Sequence, residues 1–322
     1  MTKILILGGG GMVGQKLAQR IAADAPFADP QITLFDRAFP PQSAAGRQVT
    51  GDISDPAMAA TLAAARPDVI FHLAAIVSGQ AEAEFALGWD VNMMAMWHLL
   101  NALKAEHDAS GGSYRPRLVF TSSIAVFGGP FPDQIGDEFL SAPLTSYGAQ
   151  KAACELMLSD FSRKGFVDGL SLRLPTVCVR PGKANAAASS FFSGIIREPL
   201  NGIEAILPVA DTVRHWHVSP RAATRFLTQA ALLDTDLLEG RRALNLPGIS
   251  CTVEEQIEAL RRAAGQKAVG LIKHIPDETI MRMVAGWPRN FAPERAIALG
   301  FQAESSFDEI IAVYMEEELG GA

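Results

Sequence analysis

The sequence predicts an α/β protein, a doubly wound parallel sheet with a smaller α/β lobe toward the C-terminus. Three observations lead there. Short apolar runs alternate with helical stretches without break as far as residue 174, the pattern of strands covered on both faces. The first such run, Ile4-Leu5-Ile6-Leu7, is followed at once by four glycines and an apolar helix start. Past Pro175 the rhythm changes, and prolines and glycines punctuate residues 175–220.

The first unit sets the theme. In Gly8-Gly9-Gly10-Gly11-Met12-Val13-Gly14 the glycines at 8, 11 and 14 are spaced three apart. That spacing suits a sharp turn off the strand, close approach of a pyrophosphate to the main chain, and tight packing of helix on sheet. The N–H groups at the helix start, where Met12 and Val13 stand, then face an anion that the helix dipole favours. This is a Rossmann-type dinucleotide fingerprint. The next apolar run, Ile32-Thr33-Leu34-Phe35, ends in Asp36, placed to accept from an adenosine ribose. A carboxylate there repels a 2′-phosphate and argues for NAD over NADP; Arg37 beside it pulls the other way. A third strand-like piece ends at Gly51-Asp52-Ile53, with Asp52 placed to accept from the adenine amine.

The remaining elements follow in order. Residues 55–66 are alanine-rich and helical, and Val69-Ile70-Phe71-His72-Leu73 is a fourth strand. Residues 81–108 form one or two long helices, 118–121 a strand, 146–164 a helix and 170–174 a strand. Beyond Pro175 the pattern gives a short strand at 205–209, a helix at 221–233, a strand of the main sheet at 243–246, a helix at 253–264, a strand at 269–275 and a final helix at 307–318. The domain reading is a dinucleotide-binding domain over 1–174, with a strand and helix near 215–250 returning to it. Residues 175–322 are then mainly a substrate-binding lobe that closes over the cofactor edge.

Composition narrows the class. The 322 residues are 48% hydrophobic and 20% charged, a globular balance. No apolar run reaches the ~18 residues of a membrane span, and no charged leader precedes the first strand, so a cytoplasmic protein is expected. A net charge of −7 without a long basic run argues against nucleic acid as a partner. Cys154, Cys178 and Cys251 lie far apart without metal spacing and read as buried thiols of a reducing compartment, so no metal is expected.

Two motifs carry chemistry. Tyr147 and Lys151 stand four residues apart on one helix face. A nearby cation favours tyrosinate and lowers a phenol from its reference pKa of ~10, which makes Tyr147 a usable acid or base. Thr121-Ser122-Ser123 gathers hydroxyls at a strand's carboxyl end, where open α/β sheets bind ligands. Ser122 is expected to cap the following turn and Ser123 to face the substrate. Met93, Met94, Met96 and Trp97 read equally as core or as interface. Phe191 and Phe192 read as core of the small lobe rather than a lid.

Together these motifs resemble the extended short-chain dehydrogenase/reductase family, which includes the sugar-nucleotide epimerases and dehydratases. The likeness covers nearly the whole chain: the glycines, Asp36, Asp52-Ile53, His72-Leu73-Ala74-Ala75, Asn92, Ser122-Ser123, Tyr147/Lys151, and Arg173 through Gly182. It implies a catalytic set of Ser123, Tyr147 and Lys151. It implies NAD held by Gly8, Gly11, Met12, Val13, Asp36, Asp52, Ile53, Leu73, Ala74, Ala75, Asn92, Tyr147, Lys151, Pro175 and Val177. The family's nucleotide-sugar enzymes carry a phosphate-gripping arginine where Arg214-His215-Trp216-His217-Val218 stands; arginine suits a carboxylate equally. His215 and His217 are expected to pack or hydrogen-bond rather than bind metal. The stretches 74–82, 123–132 and Val179-Arg180-Pro181-Gly182-Lys183 resemble a subgroup of NAD-dependent sugar-acid dehydrogenases. These oxidise the C2 hydroxyl of a four-carbon acid. On that likeness Ser78, Ser123 and Tyr147 contact the substrate, and Arg180 or Arg214 holds its carboxylate. The alternatives are a uronate dehydrogenase, a nucleotide-sugar epimerase or dehydratase, and a non-catalytic NAD-sensing protein. The family's habit of pairing helices 81–108 and 146–164 implies a homodimer.

Overall fold

The computed structural model describes residues 1–182 and 187–320; Lys183, the last residue of the motif beginning at Val179, lies outside them. In chain order the elements are β1 (Thr2–Leu7), α1 (Met12–Asp24), β2 (Pro30–Asp36), β3 (Arg47–Thr50), α2 (Pro56–Ala64), β4 (Val69–His72), α3 (Ser78–Ala83), α4 (Phe85–Trp89) and α5 (Ala95–Ala109). Then come β5 (Arg117–Ser123), β6 (Ile135–Gly136), α6 (Ser146–Arg163), β7 (Asp168–Leu174), β8 (Thr176–Val177), α7 (Ser190–Leu200), β9 (Ala205–Leu207), β10 (Arg214–Val218) and α8 (Pro220–Leu232). The chain continues through β11 (Ala243–Asn245), β12 (Ile249–Thr252), α9 (Val253–Val269), β13 (Ile272–His274), α10 (Glu278–Ala285), β14 (Phe291–Ala292), α11 (Glu294–Ala298) and α12 (Phe307–Glu318).

The chain divides into two compact units: Met1–Val126 with Thr145–Arg173 and Thr224–Leu244, and Phe127–Leu144 with Leu174–Ala223 and Asn245–Ala322. The first unit holds a seven-stranded sheet in the order β11-β7-β5-β4-β1-β2-β3. The pairs β3–β2, β2–β1, β1–β4 and β4–β5 are parallel. This is the doubly wound, Rossmann-type order, with the topology reversing beside β1. Two boundaries differ from expectation. Residues Phe127–Leu144 belong to the second unit, because β6 pairs with β14 and Phe127 packs on Phe291. The returning segment is also shorter than 215–250: β10 pairs with β8 and β12 in a separate three-stranded sheet.

Local chemistry explains the first unit. Ile4, Leu5, Ile6 and Leu7 are all buried, as a central strand covered on both faces requires. Leu5, Phe35, Ile70, Leu118 and Phe120 from the sheet meet Leu99, Leu100 and Leu103 of α5 and Leu158 of α6 in one core. Met96 belongs to that core, whereas Trp97 stands 42% exposed, edge-on to Phe161. Region 81–108 holds the end of α3 and then one long helical run, α4 continuing through a π-type turn at Asp90–Met94 into α5, in line with the one or two long helices expected.

The second unit has its own core of Phe191, Phe192, Ile195 and Ile196 from α7 with Leu260, Ile310 and Ile311. Phe191 and Phe192 are therefore core, as expected. Helix α7 itself was not anticipated within the proline- and glycine-rich stretch; its apolar residues 191, 192, 195 and 196 recur at helical spacing. Helix α9 starts in a capping box, with Thr252 accepting from the Glu255 N–H and Glu255 accepting from the Thr252 N–H. Gly265, at φ 75°, breaks its regular path near the expected end, but helix resumes to Val269 and leaves β13 only Ile272–His274.

Candidate active site

The glycine turn opens a cleft of about 640 Å³, counting its mouth. Of the residues expected to hold a dinucleotide, Gly8, Gly11, Asp36, Asp52, Ile53, Leu73, Ala74 and Ala75 line it. Gly8 has φ 86°, and a Cβ there would lie 2.7 Å from the Ala74 nitrogen. A Cβ on Gly14 would lie 2.4 Å from the Gly8 oxygen, which fixes the close packing of α1 on the turn. Gly11 caps α1 without a side chain, so the first N–H groups of the helix stay open to an anion. Asp36 accepts from the Gly10 N–H at 2.9 Å and the Arg37 N–H at 2.7 Å. Asp52 accepts from the N–H and hydroxyl of Ser54, and those bonds hold its carboxyl below the usual range. A glycine cradle with a carboxylate at the end of β2 fits an adenine dinucleotide. Met12 and Val13 are the partly buried first residues of α1. Phe35, Gly51, Ile76 and Val91 also line the cleft; being apolar or small, they carried no signal separating them from core.

Asn92 stands in the helical run after the cleft-lining loop, bound to its neighbours. It is buried in the π-type turn, and its amide oxygen accepts from the Ile76 N–H at 2.8 Å. Its amide nitrogen donates to the Ile76 carbonyl and to Gln150 Oε1. Its side chain thus ties the loop after β4 to α6.

Strand β5 delivers the hydroxyls. Successive side chains on a strand point to opposite faces, so Ser122 and Ser123 diverge. The turn contact expected of Ser122 is made by Ser123. Ser122 Oγ donates to Glu155 Oε1 at 2.5 Å, and it is Ser123 Oγ that accepts from the Ala125 N–H in the turn, at 3.1 Å. Ser123 keeps its hydroxyl proton for another acceptor. Glu155, on α6, is in turn held by Arg173 through Nε at 3.0 Å and Nη2 at 2.7 Å.

Helix α6 begins at Thr145, whose hydroxyl accepts from the Gly148 N–H. It brings Tyr147 and Lys151 onto one face, with Lys151 Nζ 5.5 Å from the Tyr147 ring centre. The ammonium also lies 4.7 Å from the Phe120 ring and donates to the Thr121 carbonyl at 2.9 Å. The electrostatics correct the expectation. Burial pushes the Tyr147 phenol up to about 12, where a depression was expected. Burial also brings Lys151 down to about 8, with Cys154 and Glu155 opposing that fall. With the cation 5.5 Å from the ring centre, desolvation of the phenol outweighs attraction. Ser78 opens α3, partly buried, while Gln80 donates its amide to Glu84 at 3.0 Å.

In the second unit the two candidate arginines differ. Arg214 donates to the Ser250 carbonyl at 2.9 Å and pairs with Glu255 at 3.2 Å. Arg180 is partly buried; its guanidinium reaches Ser189 Oγ at 3.4 Å, and no carboxylate pairs with it among the described residues. Burial lowers its affinity for the proton, the mark of a cation short of a counter-charge. Pro175 is buried, and Val177 pairs with Val218 in the three-stranded sheet. His215 stacks on Phe192 with ring centres 5.0 Å apart and shares a 2.7 Å hydrogen bond with Thr176, while His217 meets Gln256.

Three buried histidines make the fold sensitive to acid. Burial drives His72 and His215 down to about 3, and burial also holds His217 well below the ordinary imidazole range. Their unfolded pKa is ~6.5, so below that pH the unfolded chain binds protons that the native state refuses. Stability therefore falls as pH drops from 6.5 toward 3, by about 1.4 kcal/mol per pH unit for each histidine fully charged in the unfolded chain. Melting temperature should drop steeply between pH 6.5 and 4.5, and His72→Phe should flatten the slope. A melting temperature constant over that range would contradict the assignment.

Comparison with known proteins agrees with this geometry. Residues 4–217 match the NAD dependent epimerase/dehydratase family. The chain is 46% identical to D-erythronate dehydrogenase of Cupriavidus necator, over 98% of each chain. It is 38% identical to D-erythronate dehydrogenase of Haemophilus influenzae, over 98% of this chain and 100% of that one. A crystal structure from Agrobacterium tumefaciens, described as a nucleoside-diphosphate-sugar epimerase, superposes with a TM-score of 0.95 at 54% identity, covering 100% of this chain and 95% of that one. With the glycine cradle and Asp36 in place, the chain belongs to the NAD dependent epimerase/dehydratase family, and its cofactor is NAD.

Proposed function

We propose that this protein is a dehydrogenase that oxidises the C2 hydroxyl of D-erythronate to the 2-oxo acid. The likeness to two D-erythronate dehydrogenases along the whole chain supports the substrate. The observation that carries an acid rather than a nucleotide sugar is the contrast between the two arginines. Arg214, in the place where a phosphate would be gripped, is engaged by Glu255 and Ser250, whereas Arg180 is a partly buried cation with no carboxylate partner among the described residues. Arg180 is the group assigned to the substrate carboxylate.

Bound in the glycine cradle, NAD would supply the hydride acceptor for C2. Tyr147 takes the hydroxyl proton, and Ser123 donates to the same oxygen and orients it, with Ser78 as a further substrate contact. Lys151, at about 8, is charged at neutral pH and keeps a positive charge beneath the phenol. At about 12 the phenol is an acid at neutral pH, which suits the reverse, reductive direction; oxidation requires the positive charges of the site to draw it down. The glycine cradle, Asp36, Asp52 and Ala74-Ala75 hold the dinucleotide in the first unit, which acts as the NAD-binding domain. In the second unit, the substrate lobe, Pro175 and Val177 supply main-chain groups.

The test is NADH absorbance on mixing protein with NAD or NADP and D-erythronate, uronic acids or UDP-sugars. NADH from D-erythronate alone, with NAD preferred over NADP as Asp36 predicts, is the expected result. The epimerase reading is favoured by the Agrobacterium likeness, and UDP-sugar interconversion without net NADH would establish it instead. NAD binding without any turnover would mean a sensor. We also infer a homodimer, supported by Trp97 on α5 and by Leu156, 74% exposed on α6. Sedimentation should give the mass of two chains and Leu156→Arg that of one; a wild-type monomer would refute it. The cytoplasm is inferred from three buried free cysteines, and fractionation of the source cells checks it.

A further inference from the structure

Helix α7 does more than fill the core. Two of its polar residues, Ser193 and Arg197, stand one turn apart and are almost fully buried, at 1% and 6% exposure. Both turn toward the same residue. Ser193 Oγ accepts from the main-chain N–H of Arg180 at 3.0 Å, and Arg197 Nη1 donates to the main-chain carbonyl of Arg180 at 2.7 Å. The peptide groups on either side of Arg180 are thereby fixed from one helix face. A third α7 contact, the N-cap residue Ser189, meets the Arg180 guanidinium at 3.4 Å. Arg197 is held in turn: its other nitrogen pairs with Glu198 at 2.5 Å, and its own carbonyl accepts from Asn201, whose amide also reaches the Tyr314 hydroxyl.

Burying a guanidinium and a hydroxyl is costly unless their bonds are made. A core helix could place alanine and leucine at these positions and complete the apolar packing of Phe192, Ile195 and Ile196. Instead it carries a charged group that donates to the main-chain carbonyl of Arg180. We propose that Ser193 and Arg197 are positioning residues that clamp the backbone of Arg180 and hold its guanidinium fork ready for the substrate carboxylate. This deepens the sugar-acid reading and rests on it. Bidentate recognition depends on the fork's direction, so a clamp on the peptide tunes how well acid is preferred over its neutral analogue.

The experiment compares Arg197→Met, Arg197→Lys, Ser193→Ala and Arg180→Ala in steady-state assays with NAD. Each is run with D-erythronate as substrate and with D-erythronamide as a competing, uncharged ligand. Arg197→Met should raise the KM for D-erythronate roughly tenfold, since displacements of about 1 Å around a reacting substrate cost up to 10²-fold. The KM for NAD should stay within twofold of wild type, and the Ki of the amide should hardly move. Arg197→Lys, which retains a donor, should recover most of the loss. Ser193→Ala removes one small contact and tests the same clamp should Arg197→Met fail to fold. An unchanged KM for D-erythronate in folded Arg197→Met, or in Ser193→Ala when only that variant folds, beside a raised KM in Arg180→Ala, overturns the clamp alone. An unchanged KM in Arg180→Ala, or a wild type inert toward D-erythronate, overturns the carboxylate reading and the clamp with it.

Discussion

Replacing Tyr147 with phenylalanine should lower kcat on D-erythronate by at least ~10²–10⁴-fold, the usual contribution of a positioned acid or base. The loss is chemical rather than structural. Among the described residues the Tyr147 hydroxyl makes no hydrogen bond, while the bond that holds Lys151 in place goes to the Thr121 carbonyl. Phenylalanine keeps the ring against which the ammonium lies. The melting temperature and the NAD dissociation constant should therefore match wild type, and the whole effect should appear in turnover. The pH profile sharpens the test: the wild-type rate should climb with pH as the phenol loses its proton, and the residual rate of the variant should lack that limb. Near-normal kcat in the variant would remove Tyr147 from the mechanism.

Glu155→Ala should cost about 3–5 kcal/mol of stability, the range for removing one partner of a buried ion pair. Three elements meet at this carboxylate: α6 supplies it, β7 supplies Arg173 through a two-pronged contact, and β5 supplies the Ser122 hydroxyl. Glu155 is 6% exposed, so water cannot replace what is lost. The substitution takes the Glu155 carboxylate from a guanidinium only 13% exposed and leaves Ser122 without that acceptor. The Arg66–Glu106 pair is the contrast, with side chains 44% and 25% exposed; Arg66→Ala there should cost less than about 1 kcal/mol. Urea denaturation of both variants measures the difference. A Glu155→Ala protein within about 1 kcal/mol of wild type would show that the triad contributes little.

Much of this was readable from the chain because the relevant forces are local. A strand buried on both faces must be apolar throughout, so β1, β4 and β5 announce themselves. The glycine turn is legible because Gly8 and Gly14 meet main chain where a Cβ would stand. What escaped was decided by distant neighbours. Glu155 reads as one more helix acid until Arg173 and Ser122 arrive beside it. The direction of the Tyr147 shift depends on how much surface covers the phenol, which spacing alone does not report. Asn92 and Gln150 are ordinary helix amides in sequence and a tie between two helical segments in space. The two arginines were indistinguishable until Glu255 was found beside one of them. Residues 127–144 were misassigned because their aromatic partners come from later in the chain.

Asp36 has a bearing on attempts to exchange one coenzyme for another. Its carboxylate does not merely await a ribose; one oxygen already ties the glycine turn to the end of β2 through the Gly10 N–H. Next to that bond, a methyl group on Gly10 would run into the Ala38 oxygen at 2.0 Å. An engineer who trades Asp36 for a neutral residue to admit a 2′-phosphate also unfastens the turn on which the pyrophosphate rests. A successful swap must bring a new acceptor for that amide, and asparagine, which keeps an oxygen there without the charge, is the natural first choice.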